Sequence, residues 1–349
     1  QHQQRIAGRG PFDTAAATVN VGSTPFCRSA AVKSSDPIQS HTLRDGDVEI
    51  TVLSLGCVVQ HWRVGAVPVV LGYADPEAYR SNPVAMGALC GRVVNRIRDA
   101  RFELDGEVWS LDVNAPPHHI HGGSGGFGLS NWSLTPDGDR AVTLRLHAPH
   151  LDQGYPGAVD AEVRMTLDGH RLRYDMTVVP DRETPVNLAQ HLYFNLNGFG
   201  DVRDHSLRIA ASRYTPNGPD LMPTGEIADV AGTDYDFRSA KVLAAADPDR
   251  KGWDGNLVLD AGPGPQAEVT APNGMRLRLW TDQRGIQLYT SNTLGEHTEP
   301  NDSAAHAPFA GICLEAQNLP GALMHPQFGS ILCSPANPYR QQLEIEITP

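Results

Sequence analysis

Alternation with a period of two, cut by turn dipeptides, constrains this chain more than any other feature. In "ARFELDGEVWSLDV" apolar and polar residues alternate on either side of Asp105-Gly106, and "VRMTLDGHRLRYDMTVV" repeats the pattern around Asp168-Gly169. Successive side chains of a strand point to opposite faces, so alternation encodes a strand with one buried face, and Asp-Gly between two such runs encodes a hairpin turn. The same grammar returns in "AVTLRLHA", in "AEVTAPNGMRLRLW" with its Asn273-Gly274 turn, in "GIQLYTSN" and in the terminal "QQLEIEI", which gives at least ten strands. No window of a dozen residues keeps a helical apolar set, and 34 glycines and 27 prolines punctuate the chain throughout. Short helical turns are expected only near Asp75 to Tyr79. The fold class that follows is all-β, a large antiparallel β-sandwich with two facing sheets. Residues 1–38, rich in Gln, Ala, Ser and Thr and without periodicity, read as an N-terminal arm, and residues 39–349 as one domain whose strands start near His41.

Charge and composition remove whole classes of function. With 28 Lys and Arg against 40 Asp and Glu the formal charge is −12, and no basic run stands out, so a phosphate backbone is repelled and nucleic acid is not an expected partner. The most apolar stretch, Val58 to Leu71, is interrupted by His61 and Arg63, so no membrane helix is expected. Five cysteines, Cys27, Cys57, Cys90, Cys313 and Cys333, are odd in number, widely spaced and without a CxxC pair. That pattern argues against a disulfide framework or a zinc knuckle and for a reducing, cytoplasmic compartment. The chain opens at Gln1 with no apolar leader, although a cleaved export signal would leave no trace.

The stretch "PHHIHGGSGGFG", Pro117 to Gly128, packs three histidines and five glycines into twelve residues. It reads as a metal cluster, a phosphate-cradling loop or one wall of a pocket. Gly123, Gly125 and Gly128 satisfy G-x-G-x-x-G, but that fingerprint has meaning only between a strand and a helix, and "LSNWSLT" that follows looks like another strand. His119 and His121, two apart on a strand, would share a face and could share an ion, yet no third or fourth ligand follows at a metal-like spacing. Histidines satisfied by hydrogen bonds within a loop are the plain alternative.

Four further stretches place polar residues inside apolar strand: "GRVVNRI" (91–97), "TPVNLAQHLYFNLNG" (184–198), "GWDGNL" (252–257) and "GICLEAQNLPGA" (311–322). Glu315 follows Ile312, Cys313 and Leu314, and a carboxylate there is either ion-paired or functional. His191 precedes Leu192, Tyr193 and Phe194, where it is either a satisfied core histidine or a proton-transfer group.

Taken together and in this order, "GRVVNRI", "HIHGG", "TPVNL..H.YFNL", "GIQLYT" and "LE.QN.P" resemble the aldose 1-epimerases, or galactose mutarotases, over roughly nine tenths of the chain. The resemblance implies an antiparallel β-sandwich with a sugar cleft on one sheet, in agreement with the strand pattern. Carried over by position, it implies that Glu315 is the general base and His191 the general acid. It further implies that Asn95, Arg96, His119, Asp254 and Gln287 line the pocket for a monosaccharide. Of the two histidines in "HIHGG" it assigns the ligand contact to His119, with His121 in support. Two positions depart from the family pattern, His118 where Asn is common and Gln190 before His191, and both bear on pocket shape.

Anomer interconversion needs a proton taken from the C1 hydroxyl and another given to the ring oxygen. A carboxylate with an ordinary pKa of about 4.3 suits the first task, and an imidazole near about 6.5, held protonated by neighbouring negative charge, suits the second. The chemistry requires no cofactor and no metal, and a monomer or a homodimer would serve. The competing readings are a noncatalytic carbohydrate-binding sandwich, an epimerase of phosphorylated hexoses drawing on Arg92, Arg96 and Arg98, and a glycosidase in which Glu315 and Asp254 form a carboxylate pair.

Overall fold

The computed structural model describes residues 36–295 and 299–349. The three hairpins form where the turn dipeptides place them: Arg101–Leu104 with Glu107–Ser110, Val159–Asp168 with Arg171–Pro180, and Ala267–Thr270 with Arg276–Thr281. Burial along Val159–Asp168 and Arg171–Pro180 alternates residue by residue, so Val163, Met165, Tyr174 and Met176 point inward while Arg164, Arg173 and Asp175 face outward. Nine antiparallel strands form the larger sheet, in the order Ser133–Asp137, Ala141–Ala148, Val159–Asp168, Arg171–Pro180, Tyr339–Thr348, Arg276–Thr281, Ala267–Thr270, Ser206–Ile209 and Lys241–Val242. The last strand of the chain is therefore inserted in the middle of the sheet.

A second sheet of five strands runs Ala228–Asp229, Ala211–Thr215, Asp254–Leu259, Gly285–Tyr289 and Cys313–Gln317. Its apolar residues Leu257, Ile286, Leu288, Leu314 and Ala316 join Tyr174, Met176, Leu277, Leu279, Leu343 and Ile345 of the larger sheet in one continuous core. Each such large side chain taken from water contributes about 1.5–3 kcal/mol, so the two facing sheets supply the main stabilisation of this part of the molecule. A four-stranded sheet, Ser40–Asp45, Val48–Leu53, Val59–Val64 and Val67–Pro68, adds Val48, Ile50, Val52 and Trp62 to the same core.

Period two has a direct consequence for the smaller sheet. With Ile286, Leu288, Leu314 and Ala316 committed to the core, Gln287 and Glu315 must emerge on the other face, and the register sets them opposite one another. Asn256 pairs with Gln287 on the next strand, which completes a polar row across three strands.

Helix is scarce among the described residues: the single α-helical turn Leu243–Ala246 and short 3₁₀ turns, of which Pro76–Ser81 is capped by Asp75 Oδ1 accepting from the Glu77 amide. None is long and apolar enough to cross a membrane. Of residues 1–38, the described ones are Asp36 to Ile38, and the carbonyls of Asp36 and Pro37 accept from Asn131 Nδ2.

Candidate active site

A cavity of about 370 Å³ lies over the polar face of the five-stranded sheet. Three neighbouring strands deliver its floor: Glu315 from Cys313–Gln317, Gln287 from Gly285–Tyr289 and Asp254 from the start of Asp254–Leu259. Gln287 Nε2 donates to Asp254 Oδ1 at 2.7 Å, which holds the carboxylate in place and leaves its second oxygen available to a ligand.

His191 reaches the same floor from outside the sheet. The short strand Ala189–Gln190 pairs with Leu89–Cys90, and the ladder continues as the His191 amide donates to Ala88 O while the His191 carbonyl accepts from the Gly87 amide. The ring stacks on Tyr193 with centroids 5.1 Å apart, and the Tyr193 hydroxyl donates to Val84 O at 2.7 Å. These contacts leave His191 Nε2 3.4 Å from Glu315 Oε1. Both residues are deeply buried, His191 5% and Glu315 1% exposed, while Glu315 Oε2 and His191 Nδ1 find no hydrogen-bond partner among the described residues.

Burial dominates the electrostatics of this pair. It pushes the Glu315 carboxyl well above the usual carboxylate range, with Asp254 adding to the rise and Arg96 opposing it. It pushes His191 down to about 4. Loss of water favours the neutral form of each group. Two ionisable groups this close titrate as a unit rather than independently.

The opposite wall is built by two very short strands, Arg96–Ile97 and His119–Ile120, which pair in antiparallel fashion. Asn95 and His121 lock their ends together: the His121 amide donates to Asn95 O, and the Asn95 amide donates to His121 Nδ1 at 3.3 Å. Because Nδ1 accepts, the proton of this neutral imidazole sits on Nε2, and burial holds His121 well below its usual pKa. Arg96 is half-buried and lines the cavity.

His119 is the one expected pocket residue that the structure does not bring to the cavity. Its side chain is fully buried behind the wall, where Nδ1 donates to Asp112 O at 2.7 Å and Nε2 accepts from the Tyr155 hydroxyl at 2.7 Å. His121 takes the place on the lining. The two were expected to share a strand face, but the strand ends at Ile120 and His121 turns to a φ of +52°, so the rings diverge. The following glycine explains the turn. A Cβ on Gly122, whose φ is +89°, would sit 1.8 Å from Gly91 O, so only glycine lets the two backbones approach this closely. The same divergence removes the geometry on which a shared ion depended, and among the described residues no three His, Cys, Asp or Glu are placed to hold a metal.

Asn95, Arg96, His191, Asp254, Gln287 and Glu315 all line one cavity. Sequence reasoning missed Pro83, Val84, Leu221, Asn292 and Thr293, which come from loops with no pattern of their own, and passed over Tyr289 inside "GIQLYT". His118 and Gln190, the departures from the family pattern, lie off the lining: His118 Nδ1 accepts from the Asp99 amide, and Gln190 Nε2 donates to Gly87 O. Cys57, Cys90, Cys313 and Cys333 are buried free thiols, and Cys27 lies outside the described residues.

Comparison with known proteins places this arrangement in a family. The family model described as aldose 1-epimerase matches residues 39–346. The chain is 36% identical over 315 residues to galactose mutarotase of Rattus norvegicus, covering 86% of this chain and 92% of that protein. It is 33% identical over 317 residues to aldose 1-epimerase of Escherichia coli K12, covering 86% and 91%. Among solved structures, galactose 1-epimerase from Lactobacillus acidophilus superimposes with a TM-score of 0.81 at 26% identity, over 91% of this chain and 96% of that one. A GalM/aldose epimerase homologue from C. elegans gives a TM-score of 0.84 at 23% identity over 89% and 99%, a likeness that speaks to the fold. With its sandwich, its cavity and these relatives in agreement, the chain belongs to the aldose 1-epimerase family.

Proposed function

We propose that this chain interconverts the α and β anomers of free aldoses by opening and reclosing the sugar ring. The observation that carries the reading is the buried Glu315–His191 pair, a carboxyl and an imidazole with Oε1 and Nε2 3.4 Å apart at the floor of the cavity. In the ionised arrangement, which the positive charge of Arg96 favours by stabilising the carboxylate, Glu315 takes the proton of the C1 hydroxyl and His191 gives its proton to the ring oxygen. The C1–O5 bond breaks as the C1=O1 carbonyl forms, giving the open-chain aldehyde and its C5 hydroxyl. Rotation about C1–C2 presents the other carbonyl face. Closure returns the O5 proton to His191 and the Glu315 proton to O1, so the enzyme ends as it began, with no electrons exchanged and no bond to the protein formed.

The remaining residues orient the ring. Arg96 and the Nε2–H of His121 donate to sugar oxygens, and Asp254, fixed by Gln287, accepts from sugar hydroxyls. Free galactose and glucose, and the pentoses, are the substrates this assignment covers. All of these residues come from one chain, so a monomer suffices and a homodimer would carry two independent sites. We further propose that residues 39–349 act as one catalytic domain, and that the protein works in the cytoplasm, where its buried thiols stay reduced.

Exchange NMR on galactose at anomeric equilibrium tests the reading. Magnetisation transfer between the α and β H1 signals should appear on adding catalytic amounts of protein, at rates far above the buffer rate. Absence of transfer while sugar still binds would leave a carbohydrate-binding module instead.

A further inference from the structure

His191 and Glu315 belong to segments that no strand ladder joins at the point where they meet. Among the described residues Cys313–Gln317 is the edge of the five-stranded sheet, and Ala189–Gln190 pairs with Leu89–Cys90 instead. The close approach of the two side chains therefore has another cause. One end of the contact is pinned by backbone, where Phe194 and Ile312 exchange both N–H to O bonds in an antiparallel bridge. His191 lies three residues before Phe194 and Glu315 three residues after Ile312, so this register sets the pair opposite one another. The other end is pinned by a side chain. Asn187 is 1% exposed, and its amide acts as a peptide group would in a ladder: Nδ2 donates to Asn318 O at 3.1 Å and Oδ1 accepts from the Asn318 amide at 2.9 Å.

The backbone of Asn187 is engaged at the same time. Its amide donates to Arg92 O and its carbonyl accepts from the Val94 amide, in a parallel bridge to the segment that leads into Asn95 and Arg96. One residue thus ties together the wall with Asn95 and Arg96, the segment with His191 and the strand with Glu315. A second tie starts at the next residue: the Leu188 amide donates to the Tyr339 hydroxyl, which donates to Gln341 Oε1, and Gln341 Nε2 donates to Ala316 O. Tyr339 and Gln341 sit on the strand inserted in the middle of the larger sheet, so this tie is anchored in the core of the sandwich. Neither Asn187 nor Tyr339 lines the cavity. Asn187 and Asn318 are also the asparagines of "TPVNL" and "LE.QN.P", for which the chemistry above has no use.

We propose that Asn187 is a positioning residue for ring opening: its side-chain amide replaces a missing ladder rung and holds His191 opposite Glu315, with the Tyr339–Gln341 relay as a second brace. This inference rests on the mutarotase reading. Polarimetry gives kcat and KM for galactose mutarotation, and calorimetry gives the Kd of 1,5-anhydrogalactitol, a galactose ring without the anomeric hydroxyl. Both are measured on wild type, Asn187→Ala, Tyr339→Phe and Val163→Ala. Val163 is buried in the larger sheet, on a strand that lends nothing to the cavity lining, so Val163→Ala controls for lost stability alone.

A misplacement of about 1 Å costs on the order of 100-fold, so Asn187→Ala should lower kcat about 10- to 100-fold while KM and the anhydrogalactitol Kd change less than about three-fold. Tyr339→Phe deletes one hydroxyl and keeps the ring; it should lower kcat about three- to ten-fold, and it decides the matter if Asn187→Ala does not fold. Val163→Ala should keep the wild-type kcat. A wild-type kcat in Asn187→Ala, or in Tyr339→Phe where Asn187→Ala does not fold, overturns the inference. So does a fall in kcat that Val163→Ala matches, or a rise in KM and Kd in place of the fall in kcat. A wild-type protein that fails to accelerate galactose itself sinks the mutarotase reading and this inference with it.

Discussion

At the scale of single residues, the site is a compromise between proton chemistry and burial. Glu315 has a folded pKa raised above its unfolded value, so its contribution to stability is present below about pH 4.5 and is lost as pH rises through the raised value. His191 is depressed to about 4, so its contribution is present above its unfolded value near 6.5 and is lost as pH falls toward 4. Glu315→Gln removes the buried carboxylate, and thermal denaturation should show a higher Tm than wild type, with the gap widening from acid to alkaline pH. A variant that is less stable throughout would contradict this sign. The same shifts shape the rate. kcat/KM should fall on the acid side as His191 takes a second proton toward pH 4, leaving the pair without a base, and on the alkaline side as the last proton leaves. A profile flat to pH 4 would show that His191 is not in the proton path.

At the scale of elements, the short strands Arg96–Ile97 and His119–Ile120 sort two adjacent histidines into different jobs. His119→Ala should cost about 2–4 kcal/mol in chemical denaturation, because Asp112 O and the Tyr155 hydroxyl lose their partner and a buried ring is deleted. His121→Ala should cost less stability and instead lower kcat/KM about ten- to hundred-fold, read by polarimetry. The reverse pattern would return the ligand contact to His119. Sequence could not make this distinction, since period two puts both rings on one face and nothing in the alternation announces that the strand stops at Ile120. The signal was the glycine after His121, legible as close backbone approach but silent about which backbone. By contrast, the hairpins at Asp105-Gly106, Asp168-Gly169 and Asn273-Gly274 were readable because turn chemistry and alternation are both local.

At the scale of the whole molecule, the sandwich supplies a rigid floor. Leu288 points into the core beside Gln287, which points into the cavity, so packing behind the sheet sets geometry in front of it. Leu288→Ala should destabilise the protein by about 2–5 kcal/mol in urea unfolding and lower kcat more than it raises KM, as the floor loosens under the pair. A normal kcat at that cost in stability would mean the floor does not depend on the core behind it. Sheet order was beyond sequence reasoning, because the insertion of Tyr339–Thr348 between Arg171–Pro180 and Arg276–Thr281 depends on long-range pairing that no local pattern encodes. So were the loop residues of the cavity lining, Pro83, Val84, Leu221, Asn292 and Thr293, which meet only once the sheets are assembled. The central claim is that Glu315 and His191 open the ring together, one taking the C1 hydroxyl proton and the other giving a proton to the ring oxygen, and polarimetry on freshly dissolved α-D-galactose tests it most directly. Wild type should speed the approach to anomeric equilibrium, and Glu315→Gln and His191→Asn should each lose about 10²–10⁴-fold in kcat. Either variant retaining the wild-type rate would contradict the claim.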